Sequence, residues 1–320
     1  MAQPTNSLDS YDVKGIRESL ENVIYDISPE ETPFYSGAKK IRAVNSLHEW
    51  QTDSLRSSQA NAHIEGDDTT AEVRSATTRL GNYTQIFKNA VVIPDTDDGL
   101  DKAGRAKEMA YQTLKIAKEQ KLDIEKALFD NNAMVAGSSS QARELAGAPA
   151  FMVTNTDFVS SSSGADPTDA TGATARTDSG SSGTAFSQAK FDGVMQSIWE
   201  QGGTPETVYL SSFQMNKALG FTGYNSQRSH IEANTKTVVN AVDIYVTPWG
   251  TVEFSPHRQV RSRDVFIMQD DMWHVAVLRP TKNVELAKTG DSSRRQVTTE
   301  LTLVCANEKS SGIIADNTIS

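Results

Sequence analysis

The chain has 320 residues, with 31 Lys or Arg against 41 Asp or Glu, so its formal net charge is −10. No apolar run approaches the roughly 18–20 residues of a membrane span, and residues 1–15 lack the basic-then-apolar order of a secretory signal. The single cysteine, Cys305, excludes an internal disulfide framework and a cysteine-rich zinc site, and the acidic balance argues against a dedicated nucleic-acid binder.

A reduced, cytoplasmic compartment is the default for such a chain. The apolar fraction is 37%, slightly low for a globular protein. A compact chain of this length buries about three quarters of its unfolded surface. A thin one buries less and needs partners.

Residues 1–45 read as an arm, interrupted by Pro4, Pro29 and Pro33. A short helix over 15–25 is predicted, because Ile16, Leu20, Val23 and Ile24 make one apolar stripe. Residues 46–93 read as a long two-stranded excursion with a polar, acidic tip at Glu65, Gly66, Asp67 and Asp68. Such a hairpin buries little by itself.

Residues 95–132 contain the strongest helix signal, about 30 residues long at 1.5 Å each. Ala103, Ala106, Ala110, Leu114, Ala117, Lys121, Ile124 and Leu128 step by three or four, broken only by Lys121. Its length would be on the order of 45 Å, far above the usual three turns. The aspartates at 95, 97 and 98 suit its N-terminus. Asn131, Asn132 and Gly137 suit its end. Residues 160–184 hold nothing apolar larger than alanine, which predicts a surface loop or linker without a core.

A helix over 187–201 follows, capped by Ser187, with Phe191, Val194, Met195, Ile198 and Trp199 inward. A strand at 206–210 and a short helix capped by Ser211 or Ser212 come next. From 242 the pattern is β. Ile244 and Val246 are expected to pair with Val252 and Phe254 around Pro248-Trp249-Gly250. Strands at 265–269 and 273–278 flank an Asp270-Asp271 turn. Val297, Leu301, Leu303 and Cys305 alternate with polar residues, predicting a strand with one wet face and a small core cysteine.

Catalytic and ligand motifs are sparse. The aspartates at 95–101 look like a calcium loop, but positions six and twelve are Leu100 and Ala106 where glycine and glutamate are needed. No phosphate-binding glycine fingerprint and no H-E-x-x-H occur. His48, His63, His230, His257 and His274 are scattered. Residues 257–295 carry eight Lys or Arg against five Asp or Glu, a basic stretch in an acidic chain. No cofactor and no metal are expected. An enzyme with an unrecognised site in 187–278 is the competing reading.

Seven local segments carry a family resemblance in order. They are Ser28-Pro29-Glu30-Glu31-Thr32-Pro33-Phe34, His48-Glu49-Trp50-Gln51-Thr52-Asp53-Ser54-Leu55, Glu65-Gly66-Asp67-Asp68, Asn82-Tyr83-Thr84-Gln85-Ile86-Phe87, Arg143-Glu144-Leu145-Ala146-Gly147, Leu286-Ala287-Lys288-Thr289-Gly290-Asp291 and Glu300-Leu301-Thr302-Leu303. With the order of parts, they resemble major capsid proteins of tailed bacteriophages with the Hong Kong 97-type fold, in the SU-ten-like subfamily.

The resemblance implies an α+β subunit with an N-terminal arm (1–45) and an extended β-hairpin loop (46–93). It further implies a peripheral domain with a spine helix (94–140), an axial domain (141–260) and return strands of the peripheral domain (261–320). It implies a homo-oligomeric icosahedral shell of pentamers and hexamers, assembled in the host cytoplasm. Packaged double-stranded DNA would be contacted non-specifically, without a membrane. Implied partners are a separate scaffold protein, a decoration or cement protein and a portal. Implied subunit contacts are Phe34, Trp50, Glu65, Asp67, Asp68, Arg74 and Arg79. No lysine lies between Lys40 and Lys88, so the lysine cross-link of some relatives is not expected. A cargo shell of the encapsulin kind is the alternative on the same fold.

Overall fold

The computed structural model describes residues 32–68, 71, 74–100, 102, 107–158, 164–180, 183–221 and 244–319. The helix expected over 15–25 lies outside these residues, as do Ala103 and Ala106. In chain order the elements are α1 (Pro33–Gly37), β1 (Lys39–Arg42), β2 (Leu47–Thr52), β3 (Thr78–Tyr83), β4 (Gln85–Pro94), α2 (Asp95–Gly99) and α3 (Glu108–Phe129). Then come β5 (Thr156–Asp157), α4 (Gln188–Glu200), β6 (Thr207–Leu210), α5 (Ser212–Ala218), β7 (Ile244–Thr247), β8 (Gly250–Pro256), β9 (Val265–Met268), β10 (Trp273–Glu285), β11 (Ser292–Cys305) and β12 (Gly312–Ile314).

A four-stranded sheet has the order β1-β10-β11-β4, and a six-stranded sheet the order β5-β12-β9-β6-β8-β7. Among the described residues, β2 and β3 pair only with each other. α3 lies along the four-stranded sheet, packed on β4 and β11. α4 packs on β12 and β5 of the larger sheet. One core, around Phe129, Phe151, Phe266 and Trp273, joins the two sheets. A second, around Phe191, Ile198 and Phe254, fills the space under α4.

The hairpin is shorter than 46–93. β4 leaves it and pairs antiparallel with β11, from Pro94↔Ser292 to Gln85↔Leu301. The crossing point is Thr84, buried, whose amide donates to the Ser46 carbonyl at 2.7 Å. The last 60 residues do not belong to one sheet either. β10 and β11 lie in the smaller sheet, whereas β9 and β12 lie in the larger one. Their apolar sequences, Val265–Met268 and Gly312–Ile314, are buried on both faces, as central strands require.

The long helix is broken. α2 ends at Leu100, whose ψ of 142° is extended. α3 begins at Glu108 and spans 22 residues. The break lets Asp98 fold back, where its carboxylate accepts from the Met109 amide at 3.2 Å and caps α3. Ile124 and Leu128 face the core as expected, but Leu114 is exposed and Gln120 replaces Lys121 on the sheet side. Gln120 Nε2 donates to the Phe87 carbonyl at 2.8 Å, so a buried amide satisfies the strand beneath it.

Three smaller expectations change. Trp199 stays outside while Ile198 is buried. Ile244 pairs with Glu253 and Val246 with Thr251, not with Val252 and Phe254; Tyr245 is the residue opposite Val252, and it faces inward against Phe191. β11 has no wet face over its last seven residues: Glu300, Thr302 and Val304 are buried as well as Leu301, Leu303 and Cys305. Cys305 is the expected small core residue, and burial raises its thiol pKa well above the ordinary value.

Gly147 sits where the chain returns beneath the end of α3. A Cβ there would lie 1.9 Å from the Asp130 carbonyl oxygen, whereas one at Gly37 would meet nothing within 4 Å. Gly147→Ala therefore destabilises the chain by about 3 kcal/mol or more, since backbone must move. Gly37→Ala should stay within about 1 kcal/mol. Denaturant unfolding of the two variants checks the contrast.

Candidate assembly interface

The arm is held to the body by a buried carboxylate. Glu125, fully buried on α3, accepts from the Phe34 amide at 2.9 Å and the Tyr35 amide at 2.7 Å. These are free N–H groups of the first turn of α1, so a distant side chain caps that helix. Glu125 and Phe34 are 91 positions apart, beyond the reach of local sequence patterning.

His257 Nε2 lies 2.7 Å from the same Glu125 oxygen and is also buried. Around them Phe34, Phe129 and Tyr209 stack, with Phe34–Phe129 centroids 4.9 Å apart and Phe129–His257 centroids 5.0 Å apart. Glu125 thus joins α1, α3 and the segment after β8. Phe34 was implied as a subunit contact, but it is only 2% exposed and packs in its own chain's core. Its ring is spent within its own chain, against Phe129 and Tyr209.

The root of the hairpin is fixed in a similar way. The buried Asn82 amide donates to the Leu303 carbonyl at 2.9 Å and accepts from the Ala146 amide at 2.9 Å. Thr84 Oγ1 donates to Glu300 at 2.9 Å, and Arg279 Nε donates to the other Glu300 oxygen at 2.6 Å. Arg143 also pairs with Glu300. Trp50 on β2 is half-buried, with its ring 6.1 Å from Phe151. It lines a cavity of about 350 Å³ with Val44, Leu47, His48 and Arg79. Burial lowers the His48 pKa.

Beyond this root the described residues of the tip are exposed, including Glu65, Asp67, Asp68 and Arg74. Arg79 is exposed and pairs with Glu49 across β2 and β3. Gly66, at φ 85°, makes the turn. Two apolar side chains stand in this polar tip, Leu55 at 98% and Ile64 at 84% exposure.

The segment expected to lack a core is pinned by a buried charge. Arg176 Nη1 lies 3.2 Å from Asp316 and Nη2 lies 2.9 Å from Asp178. Asp264 lies 3.0 Å from Arg261 without hydrogen-bond geometry, and neither of its oxygens has a hydrogen-bond partner among the described residues. Burial raises its pKa to about 6, against the opposing charges of Arg261 and Arg176. Asp316 shows the opposite balance: burial pushes its pKa up, but hydrogen bonds and charge from Arg176 outweigh it and hold it low.

Of the residues singled out from the sequence, Trp50 and Arg79 both line the cavity at the hairpin, and Glu65, Asp67, Asp68 and Arg74 are exposed. Of the anchors, Asn82 and Glu300 lie in segments that carry the family resemblance, though the sequence assigns them no role, whereas Glu125, His257 and Arg176 carry no local signal. Among the described residues no group of three His, Cys, Asp or Glu is placed to hold a metal ion, and no helix is long and apolar enough to cross a membrane.

A subunit built this way, with an anchored arm and a hairpin standing off two joined sheets, is a shell-forming structural protein with the Hong Kong 97-type fold. The chain belongs to the SU10 major capsid protein family, whose model matches residues 3–318. It is 26% identical over 345 residues to the major capsid protein of Escherichia phage Phieco32, covering 98% of this chain and 97% of that one.

Among solved structures it is similar to the cyanophage A-1(L) capsid asymmetric unit, with a TM-score of 0.69 at 10% identity over 98% of this chain and 100% of the other. The phage G major capsid proteins with decoration proteins match at a TM-score of 0.55 and 10% identity, over 99% and 100%. The SrpI encapsulin complex of Synechococcus elongatus PCC 7942 matches at 0.57 and 8% identity, over 98% and 97%.

Proposed function

We propose that the chain assembles as pentamers and hexamers into an icosahedral shell around double-stranded DNA, in the host cytoplasm, as a structural component without a catalytic centre. The four-stranded sheet with α3 is the peripheral unit, and the six-stranded sheet with α4 is the axial unit. The arm and the hairpin tip meet neighbouring copies. A separate scaffold, a portal and a decoration protein complete the particle. The phage G structure, which includes decoration proteins, supports the last of these.

The observation that carries the reading is the pair Leu55 and Ile64, almost fully exposed in the polar tip of the hairpin. We read these two exposed apolar side chains as the contact that the hairpin tip makes with a neighbouring copy. Leu55→Ser with Ile64→Ser should abolish shells seen by electron microscopy of the co-expressed proteins, while the melting temperature of the free chain stays unchanged. Shells of normal yield from this variant would reject the tip contact. The encapsulin match favours one second reading, a cargo shell. Particles that hold protein and no nucleic acid would establish it instead.

A further inference from the structure

We propose that the solvent-facing side of α3 is a nucleic-acid contact surface, with Lys115, Lys118, Lys121 and Lys126 set against a phosphate backbone. This rests on the reading of the chain as a shell around DNA and names the face that DNA meets. All four lysines are exposed. Lys115 and Lys118 fall opposite Met109, Gln120 and Ile124, which face the sheet, and Lys121 and Lys126 flank them. From first to last they span about 16 Å at roughly 1.5 Å per residue. Lys107, also exposed, extends the row beyond the start of the helix.

The sign of this face is opposite to that of the chain, whose net charge is −10. The acids of the same helix leave the charges of Lys115, Lys121 and Lys126 largely uncancelled. Glu108 and Glu125 are buried, and Asp123 lies by Asn89 at 3.5 Å. Glu119 reaches Lys115 only at 3.9 Å, with both side chains about half exposed, and Lys107 lies 3.8 Å from Asp98. Exposed pairs of this length contribute little and exchange readily. Lys115, Lys118 and Lys121 are spaced by three, an arrangement in which like charges repel along the helix. A polyanion lying along the helix relieves that repulsion and releases its own counterions.

The test is equilibrium binding of a fluorescent duplex of about 24 base pairs to the full chain, from about 20 to 200 mM KCl. Wild type should bind at low salt, with a slope of log K against log salt of about −3 to −4. Lys115→Gln, Lys118→Gln and Lys121→Gln together should reduce that slope by about 3. Lys88→Gln, Arg258→Gln and Lys282→Gln, exposed on other segments, should leave it unchanged.

No binding by wild type at about 20 mM salt, or an equal loss in both triple variants, would overturn the assignment. Polyglutamate bound as tightly as the duplex would overturn it in favour of an acidic protein. Circular dichroism of each variant guards against unfolding. Absence of shells from the co-expressed wild-type proteins would count against the shell reading, while lysine-dependent binding would stand apart from it.

Discussion

Replacing Glu125 with alanine should lower the melting temperature by on the order of 10 °C and free the amides of Phe34 and Tyr35 to exchange with solvent. The variant removes the acceptor of two backbone donors and the partner of a buried histidine. Each buried group left unsatisfied costs about 1–3 kcal/mol. Three such groups amount to roughly 5 kcal/mol, and each kcal/mol shifts the melting of a large domain by about 2–4 °C. Glu125→Gln keeps the volume and one acceptor, so its loss should be smaller. Hydrogen exchange followed by mass spectrometry separates the local effect from the global one. Unchanged protection at residues 34 and 35 in the alanine variant would show that the arm is held by Phe34 packing alone.

The second large effect is on pH. Asp264 has a folded-state pKa of about 6, above its ordinary 3.8. The folded chain therefore binds more protons than the unfolded chain between about pH 4 and 6. Stability from this group is full below about pH 4 and is lost as pH rises through about 6. A gap of about two units corresponds to roughly 3 kcal/mol. Burial raises Asp166 and Asp270 as well, with the same sign. Asp316, held low, acts oppositely, and its contribution is lost only as pH falls below the ordinary carboxylate range. Denaturant unfolding of free chain should thus show a higher midpoint at about pH 4.5 than at about pH 7, with the difference reduced in Asp264→Asn. An identical pH difference in that variant would assign it to other groups.

Much of the element order was legible because apolar spacing reports burial on one face. The stripe Phe191, Val194, Met195 and Ile198 made α4 readable, and Ser187 marked its start. The same logic failed where a polar side chain does the burying. Gln120 and Glu125 look like surface residues of a helix, yet each satisfies backbone groups from distant segments. The α2–α3 break was hidden for a related reason, since Asp98 suits a cap and a helix start equally. At β7 the alternation was visible, but its phase was set by the aromatic cluster around Phe191. Asn82, Thr84 and Glu300 lie in segments that carry the family resemblance, but their anchoring role depends on partners far along the chain and could not be read from those segments.

The fixings of the hairpin root have a mechanical consequence. A projecting two-stranded element is a cantilever, and a load at its tip becomes a bending moment at its clamp. Here the clamp is not the β2–β3 ladder but Asn82 and Thr84, tied to Leu303, Ala146 and Glu300. Those partners lie on β11, the central strand between β10 and β4, and on the segment after α3. Load at the tip is therefore delivered to an inner strand of the four-stranded sheet and shared with the strands on either side, so it stretches a hydrogen-bonded network instead of prying one loop loose.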